Sequence, residues 1–331
     1  MKANSGKVRA LGLCSGGLDS ILAALVLRRQ DIEVAWVSFE TPFFAATKAR
    51  AAARMTGIPL SVVDITAAYL PMLRNPACGY GKHMNPCMDC HALMFRLAGE
   101  RLAVEGFDFL FSGEVLGQRP MSQTRTALRY VEKHSGFQGM ILRPLSARKL
   151  PETLPELDGR VDRSRLLDFA GRSRKPQIEL AKALGVREYP APAGGCLLTD
   201  KGYAKRLRDL FDHTTRPTLS QLELLKHGRH FRLADRVKVI VGRTYADNIE
   251  ILKHRDAATD LTLRVQSHPG PVTLLPGTAG PDAIHQAAAI CAGYSKAPRG
   301  QEVVVLVSGA GSRGVLRVIP LSPSEAHGDM I

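Results

Sequence analysis

Six cysteines punctuate this chain: Cys14, Cys78, Cys87, Cys90, Cys196 and Cys291. Cys87 and Cys90 stand at the C-x-x-C spacing. That spacing lets two sulfurs reach one metal ion or cluster, or close a redox disulfide. Cys196 ends the turn-rich run Tyr189-Pro190-Ala191-Pro192-Ala193-Gly194-Gly195-Cys196, which presents a thiol with little local structure around it. If the fold brings residue 196 beside 87 and 90, three thiolates are available. They suit iron–sulfur or zinc and do not suit magnesium. A second stretch able to do chemistry is Ser15-Gly16-Gly17-Leu18-Asp19-Ser20. Its glycines let the backbone approach an anion, and a following helix offers free N–H groups and its dipole. The hydroxyls of Ser15 and Ser20 can donate to phosphate oxygens, and Asp19 can help to hold magnesium. The Lys-Ser/Thr pair of a Walker loop is missing.

These residues need elements to position them. Residues 8–14 form an apolar run that predicts a buried strand, and the Ala/Leu-rich run 21–27 predicts the first turns of a helix. Further strands are expected at 34–39, 60–65 and 107–112, with helices at 47–56, closed by Gly57, and at 92–104. Alternating β and α elements are the signature of a doubly wound, mainly parallel sheet, whose ligands lie at the carboxyl ends of the strands. The stretch Gly113-Glu114-Val115-Leu116-Gly117-Gln118-Arg119-Pro120 follows a strand end, so Gly113, Glu114 and Arg119 are candidates for contacts with a nucleotide or an acceptor; otherwise the two charges are ordinary loop charges. Between residues 69 and 91 the periodicity breaks into Pro, Gly and Asn, and three of the cysteines fall there. A long irregular insertion in a compact domain is functional or disordered, and the cysteines argue for function. A short apolar segment at 140–145 is interrupted by Arg143-Pro144; loop and helix are expected at 150–159 and a helix at 175–184, closed by Gly185.

Beyond about residue 200 the character changes. A basic helical region, 203–227, leads into strand candidates at 237–241, 249–252, 261–265, 272–275, 303–307 and 315–319, with one helix near 282–291. The tail, 322–331, is expected to fray. The fold class expected is therefore α/β, with residues 1–200 forming the doubly wound domain and 201–331 a smaller α+β domain with an antiparallel sheet.

The hexapeptide 15–20 resembles the PP-loop of the ATP pyrophosphatase superfamily, whose fold is adenine nucleotide alpha hydrolase-like. The resemblance implies ATP cleaved between its α- and β-phosphates and an acceptor oxygen adenylated, with Ser15, Gly16, Gly17, Asp19 and Ser20 as nucleotide contacts and Mg2+ as cofactor; Gly113 and Glu114 join the nucleotide contacts by their place after the strand. Asn85-Pro86-Cys87-Met88-Asp89-Cys90-His91 is similar to the Asn-Pro-Asp-x-x-Cys-Asn segment of the tRNA 2-thiouridylases, and Gly194-Gly195-Cys196 falls where that family carries its second cysteine. Two departures matter: Cys87 replaces the Asp, and His91 replaces the Asn. The third cysteine makes the site similar to the iron–sulfur-dependent tRNA thiolases, where three cysteines hold a [4Fe–4S] cluster. The resemblance thus implies an ATP-dependent RNA sulfurtransferase acting on tRNA uridine or cytidine, with Cys87, Cys90, Cys196 and Asp19 catalytic and the three cysteines as metal ligands. Its sulfur would come from sulfide, a cysteine desulfurase or a sulfur carrier. Persulfide chemistry between cysteines without a cluster stays open. So does structural zinc, with Cys78 or His91 as fourth ligand. Val241-Gly242-Arg243-Thr244-Tyr245-Ala246-Asp247-Asn248 resembles the Val-Gly-Arg-x-x-x-x-Asn hairpin of the NFACT RNA-binding domain; an ordinary hairpin in a dimerisation or lid domain is the other reading.

The bulk composition sets bounds. The net charge of +14 and pI near 9.8 favour a polyanionic partner, RNA before membrane. Residues 201–243 hold eleven Lys/Arg against four Asp/Glu, the clustering expected where a phosphate backbone docks. No apolar run is long enough to span a bilayer, and residues 1–9 lack a signal-peptide core, so a cytoplasmic protein is expected. The cysteines are too sparse for a disulfide scaffold. Cys14 and Cys291 read as core packing, and His83 as a solvated loop side chain. A small-molecule ligase or sulfur-insertion enzyme, and a non-catalytic RNA-binding protein, are the alternative functions.

Overall fold

The computed structural model describes residues 7–191, 195–309 and 311–331. Part of the turn-rich run, Pro192 to Gly194, lies outside the described residues, as do the first six residues. The chain divides into two compact units between Thr199 and Asp200.

The first unit opens with β1 (Arg9–Leu13), α1 (Leu18–Arg28), β2 (Glu33–Glu40), α2 (Thr47–Thr56) and β3 (Leu60–Asp64). There follow α3 (Thr66–Arg74), α4 (Cys87–Gly99), α5 (Leu102–Glu105), β4 (Phe109–Ser112), α6 (Arg125–Ser135), β5 (Ile141–Leu142), α7 (Leu154–Leu157) and α8 (Lys175–Ala183). The five strands are parallel, in the order β3-β2-β1-β4-β5. Strand β4, Phe-Leu-Phe-Ser, is buried along its whole length, as a central strand covered on both faces must be. The Phe111 ring packs over Gly12, where a Cβ would lie 2.2 Å from it. Chain order reverses between β1 and β4, and the loops leaving those two strands, at 14–17 and 113–124, open side by side at a topological switch point.

Two helices were not legible in the sequence. α3 occupies the start of the segment expected to be irregular, and α6 fills the stretch after the β4 loop. α6 is amphipathic, with Ala127, Leu128 and Val131 buried, and Thr124 caps it by accepting from the Ala127 N–H at 3.1 Å. The helix expected at 92–104 begins earlier, at Cys87 itself, and stops at Gly99, where a Cβ would collide with the Phe137 ring.

The second unit comprises α9 (Lys201–His213), α10 (Leu219–Leu224), β6 (Arg229–Arg232), β7 (Lys238–Val241), α11 (Tyr245–His254), β8 (Asp260–Val265), β9 (Thr273–Pro276), α12 (Pro281–Gly293), β10 (Val303–Gly309) and β11 (Ser312–Val318). Its sheet is antiparallel throughout, in the order β11-β10-β8-β9-β7-β6. α12 packs on one face, and Cys291 lies in that core, fully buried. The strand expected at 249–252 is instead the middle of α11, so Val241-Gly242-Arg243 is a strand-to-helix junction and not a hairpin. Thr244 caps the helix by accepting from the Asp247 N–H at 3.1 Å, and only Ile251 of 249–252 is buried, which suits a helix with one inward stripe. The tail does not fray: Met330 bridges Phe231, and the Ile331 N–H donates to the His230 carbonyl at 3.0 Å.

Candidate active site

The loop after β1 is built for close backbone approach. Gly16 has a left-handed φ of 71°, and a Cβ there would fall 2.1 Å from the Lys48 carbonyl carbon. Ser15 is exposed, whereas Ser20 is buried and its hydroxyl donates to the Gly17 carbonyl at 2.8 Å. Gly113, leaving β4, packs against the first turn of α1, where a Cβ would lie 2.4 Å from the Asp19 carbonyl carbon. The Asp19 carboxylate accepts from Gln118 Nε2 at 3.0 Å through Oδ2, while Oδ1 is buried without a partner among the described residues. Burial pushes this carboxyl above its ordinary range; the Gln118 hydrogen bond and the charges of Arg174 and Arg119 pull the other way. An orphaned carboxylate oxygen flanked by two guanidinium groups fits a bound cation and phosphates. Arg174, Gln118 and Gln123 also carry buried, unpartnered polar atoms. Arg174 has no motif around it, and only the fold brings it near Asp19.

The cysteines converge. Cys87 opens α4 and accepts from Asn85 Nδ2 at 3.3 Å. Cys196 is carried in by two backbone hydrogen bonds of the residues after it, Leu197 N–H to the Phe43 carbonyl at 2.9 Å and Met84 N–H to the Leu198 carbonyl at 3.2 Å. Cys87 and Cys196 then lie close enough for their charges to bear on Cys90, and Cys87 close enough to bear on Cys196. Around them sits the hydroxyl of the buried Tyr69, hydrogen-bonded to Cys90, its ring held between Phe43 and Phe44 at 5.7 and 5.4 Å. Burial pushes the Cys90 thiol up to about 12, the Tyr69 hydrogen bond opposing and the other two cysteines adding to the rise. Burial likewise takes Cys196 to about 11. The ligand type fits an iron–sulfur cluster, but the spacing does not: among the described residues no three of His, Cys, Asp and Glu stand as a metal-holding group.

Cys78 is exposed. Its N–H donates to Asp89 Oδ2 at 2.9 Å, and Asp89, buried on α4, also accepts from Tyr130 at 2.9 Å. Asp89 therefore ties the irregular segment to the C-x-x-C helix. Glu114, a candidate for nucleotide contact, has both oxygens engaged within the protein. Oε1 meets His91 Nδ1 at 2.9 Å; Oε2 accepts from Arg143 Nε at 3.0 Å and from Ser112 at 3.1 Å. Burial alone would raise its pKa, but the Arg143 charge and the His91 contacts outweigh it and hold the carboxyl at about 2. Arg143 is itself 3% exposed and also pairs with Glu132. This chain of charges fixes His91, next to Cys90, against the end of β4. Cys14 is buried, its thiol raised to about 11 by burial, as a core residue.

A glycine-rich loop thus lies between a parallel strand and a helix at the switch point of a doubly wound sheet, where sheets of this kind bind their ligands. Residues 4–150 match the family described as "Thiamine biosynthesis protein (ThiI)", and residues 228–328 match "NFACT protein RNA binding domain". A curated relative, the tRNA-specific 2-thiouridylase MnmA 1 of Syntrophus aciditrophicus, is 27% identical over 225 residues, which are 61% of this chain and 56% of the relative. The chain thus spans little more than half the length of that relative. Among solved structures, a 4-thiouridine synthetase in complex with RNA and bound ATP aligns with a TM-score of 0.38 at 20% identity, covering 65% of this chain and 52% of the other. The NMN synthetase of Francisella tularensis aligns with a TM-score of 0.36 at 15% identity, covering 67% and 84%. Among the described residues no helix is long and apolar enough to cross a membrane.

Proposed function

We propose that this protein is an ATP-dependent RNA sulfurtransferase that thiolates a tRNA base in the cytoplasm. The observation that carries this reading is the convergence of Cys87, Cys90 and Cys196 around the Tyr69 hydroxyl, in the same unit as the PP-loop. The matches to a ThiI-type domain, an NFACT RNA-binding domain and a tRNA 2-thiouridylase support it.

In this reading, Ser15, Gly16 and Gly17 cradle the ATP phosphates, Arg119 and Arg174 neutralise them, and the free Asp19 oxygen holds magnesium. The base oxygen attacks the α-phosphorus and pyrophosphate leaves. A sulfur nucleophile then attacks the activated base carbon, and AMP departs with the oxygen. Delivered as a persulfide, the terminal sulfur bonds to carbon while a second cysteine attacks the inner sulfur, closing a disulfide that an external thiol reductant must reopen. The alternative sulfur source is a [4Fe–4S] cluster that Cys87, Cys90 and Cys196 would hold, although their spacing among the described residues does not suit it. Glu114 acts as a positioning residue, holding His91 beside the cysteines.

The test is anaerobic. Purified protein is incubated with ATP, magnesium, sulfide and unmodified tRNA, and the digested nucleosides are read by mass spectrometry, with iron and acid-labile sulfide counted in parallel. A thionucleoside that requires ATP and disappears in Cys87→Ala, Cys90→Ala and Cys196→Ala is the expected result. About four irons per chain, lost in each variant, would assign the cluster. A reconstituted protein that stays colourless and is inactive with sulfide, but active when a persulfide donor such as a sulfur-loaded cysteine desulfurase and a thiol reductant are added, would assign the persulfide route. ATP cleavage stimulated by a small acceptor, with no RNA thiolated, would overturn the RNA assignment.

A further inference from the structure

One face of the second unit's sheet is covered by α12, and the opposite face is covered only in part. There α10 and α11 lie over β7 and β9, where Ile240 and Leu274 meet Leu224 and Ile251. Farther along, strand alternation decides the rest. Leu263, Val265, Val303 and Val305 point into the core under α12, so Arg264 and Leu306 point the other way, into solvent. In register, Arg264 stands opposite Leu306, Leu306 opposite Val315 and Val304 opposite Arg317. Leu306 is 39% exposed and Val315 63%, so apolar side chains lie open between guanidinium groups. Glu302 pairs with Arg317 at 3.4 Å at the rim, both well exposed.

Where this open face meets α11 there is a cavity of about 360 Å3, lined among others by Tyr245, Asn248, Arg264, His268 and Pro271. That volume lies in the range of small-ligand sites, roughly 300–1,000 Å3. Tyr245 is 81% exposed, so its ring contributes little to packing. The cavity wall is stiff. Asn248 Oδ1 accepts from the Val272 N–H at 2.9 Å, and Gly242 makes room for it, since a Cβ there would lie 2.0 Å from that oxygen. The Gly-x5-Asn spacing of the motif thus has a structural purpose: it clamps α11 to the start of β9 and fixes Tyr245 at the cavity mouth.

We infer that this face binds an unpaired stretch of RNA, with one base entering the cavity and stacking on Tyr245, and with Arg264 and Arg317 meeting the backbone phosphates. The inference rests on the RNA-binding reading above and deepens it by naming the surface and the form of RNA. A duplex keeps its bases stacked inside and offers mainly phosphates and sugars, and it would leave an open aromatic ring and the Leu306–Val315 floor unused. Single strands expose the π-faces and edges that such a surface engages.

The experiment uses the full chain and fluorescein-labelled RNA, a single-stranded oligonucleotide and a duplex of equal length, with anisotropy read across a potassium chloride series. Tyr245→Ala is expected to weaken single-strand binding by about 5- to 100-fold and to leave the duplex unchanged, while Tyr245→Phe keeps wild-type affinity. Arg264→Ala should lower the salt slope for the single strand by about 0.7, one phosphate contact. Circular dichroism confirms that the variants fold, which the exposure of both side chains favours. Wild-type affinity in both Tyr245→Ala and Arg264→Ala, with RNA still bound, would overturn this surface and leave RNA binding intact. Equal weakening of single strand and duplex by Tyr245→Ala would overturn the preference for unpaired RNA. Absence of salt-dependent binding in the wild type would instead remove the RNA reading itself, and this surface with it.

Discussion

Replacing Arg143 by methionine isolates the buried charge chain behind the cysteines. In the native protein Glu114 is 6% exposed and held ionised with a pKa of about 2, against an ordinary 4.5. At roughly 1.36 kcal/mol per pKa unit, that difference corresponds to about 3 kcal/mol of stability. A depressed carboxyl pKa contributes fully above about pH 4.5 and loses its contribution as pH falls toward 2. Without Arg143 the carboxylate stays buried with only His91 and Ser112 beside it, and burial then dominates. Its pKa rises above 4.5 and the sign reverses: stability now falls as pH rises through that range. Glu132, the other partner, is 22% exposed at its side chain and can turn to water. Arg143→Met is therefore expected to cost about 3–5 kcal/mol at pH 7, and less near pH 4. The chain holds a single tryptophan, Trp36, buried in β2, so its fluorescence in a urea titration reports the first unit alone. Glu114→Gln combined with Arg143→Met should recover part of the loss, because no unpaired charge remains. A loss below about 1 kcal/mol with an unchanged acid limb would refute the reasoning.

Two further perturbations test the local geometry. Gly242→Ala should destabilise the second unit by about 1–3 kcal/mol, because its methyl group displaces Asn248 from the Val272 N–H; thermal melting monitored by circular dichroism should show a lowered midpoint, and Asn248→Ala a smaller shift in the same direction. Iodoacetamide at pH 8, followed by peptide mass spectrometry, should modify the exposed Cys78 at least about tenfold faster than Cys90 or Cys196, whose thiols are held near 12 and 11; equal rates would contradict that protonation.

Much of the candidate site was legible because its signals are local. A strand, two glycines and an Ala/Leu helix write a strand–turn–helix unit into consecutive residues, and the observed β1 and α1 fall on those residues. A C-x-x-C needs only four positions. The parallel sheet followed from alternating periodicities and glycine stops, such as Gly57 with its φ of 67°. What failed was equally physical. Residues 249–252 are apolar enough for a strand, and a run that short carries no period to separate strand from helix; the Thr244 cap and the single inward position of Ile251 decide for helix. α6 is polar on most of its surface, and its buried stripe becomes visible only against α4, on which it packs. The tail read as frayed because the residues that hold its end, Phe231 and His230 among them, lie about a hundred residues earlier.

The sequence by itself determined which chemistry-bearing groups are present: a glycine-rich loop, soft thiols, a surplus of positive charge. Tertiary structure alone decided which residues share a site. Cys196 reaches Cys87 and Cys90 through backbone bonds to Phe43 and Met84. Arg174 comes near Asp19 from the N-cap of α8, and Glu114 turns inward to Arg143 and His91. The reason is that charge, burial and hydrogen bonding act over a few ångströms of space, while the residues that supply them are separated by tens of positions of chain.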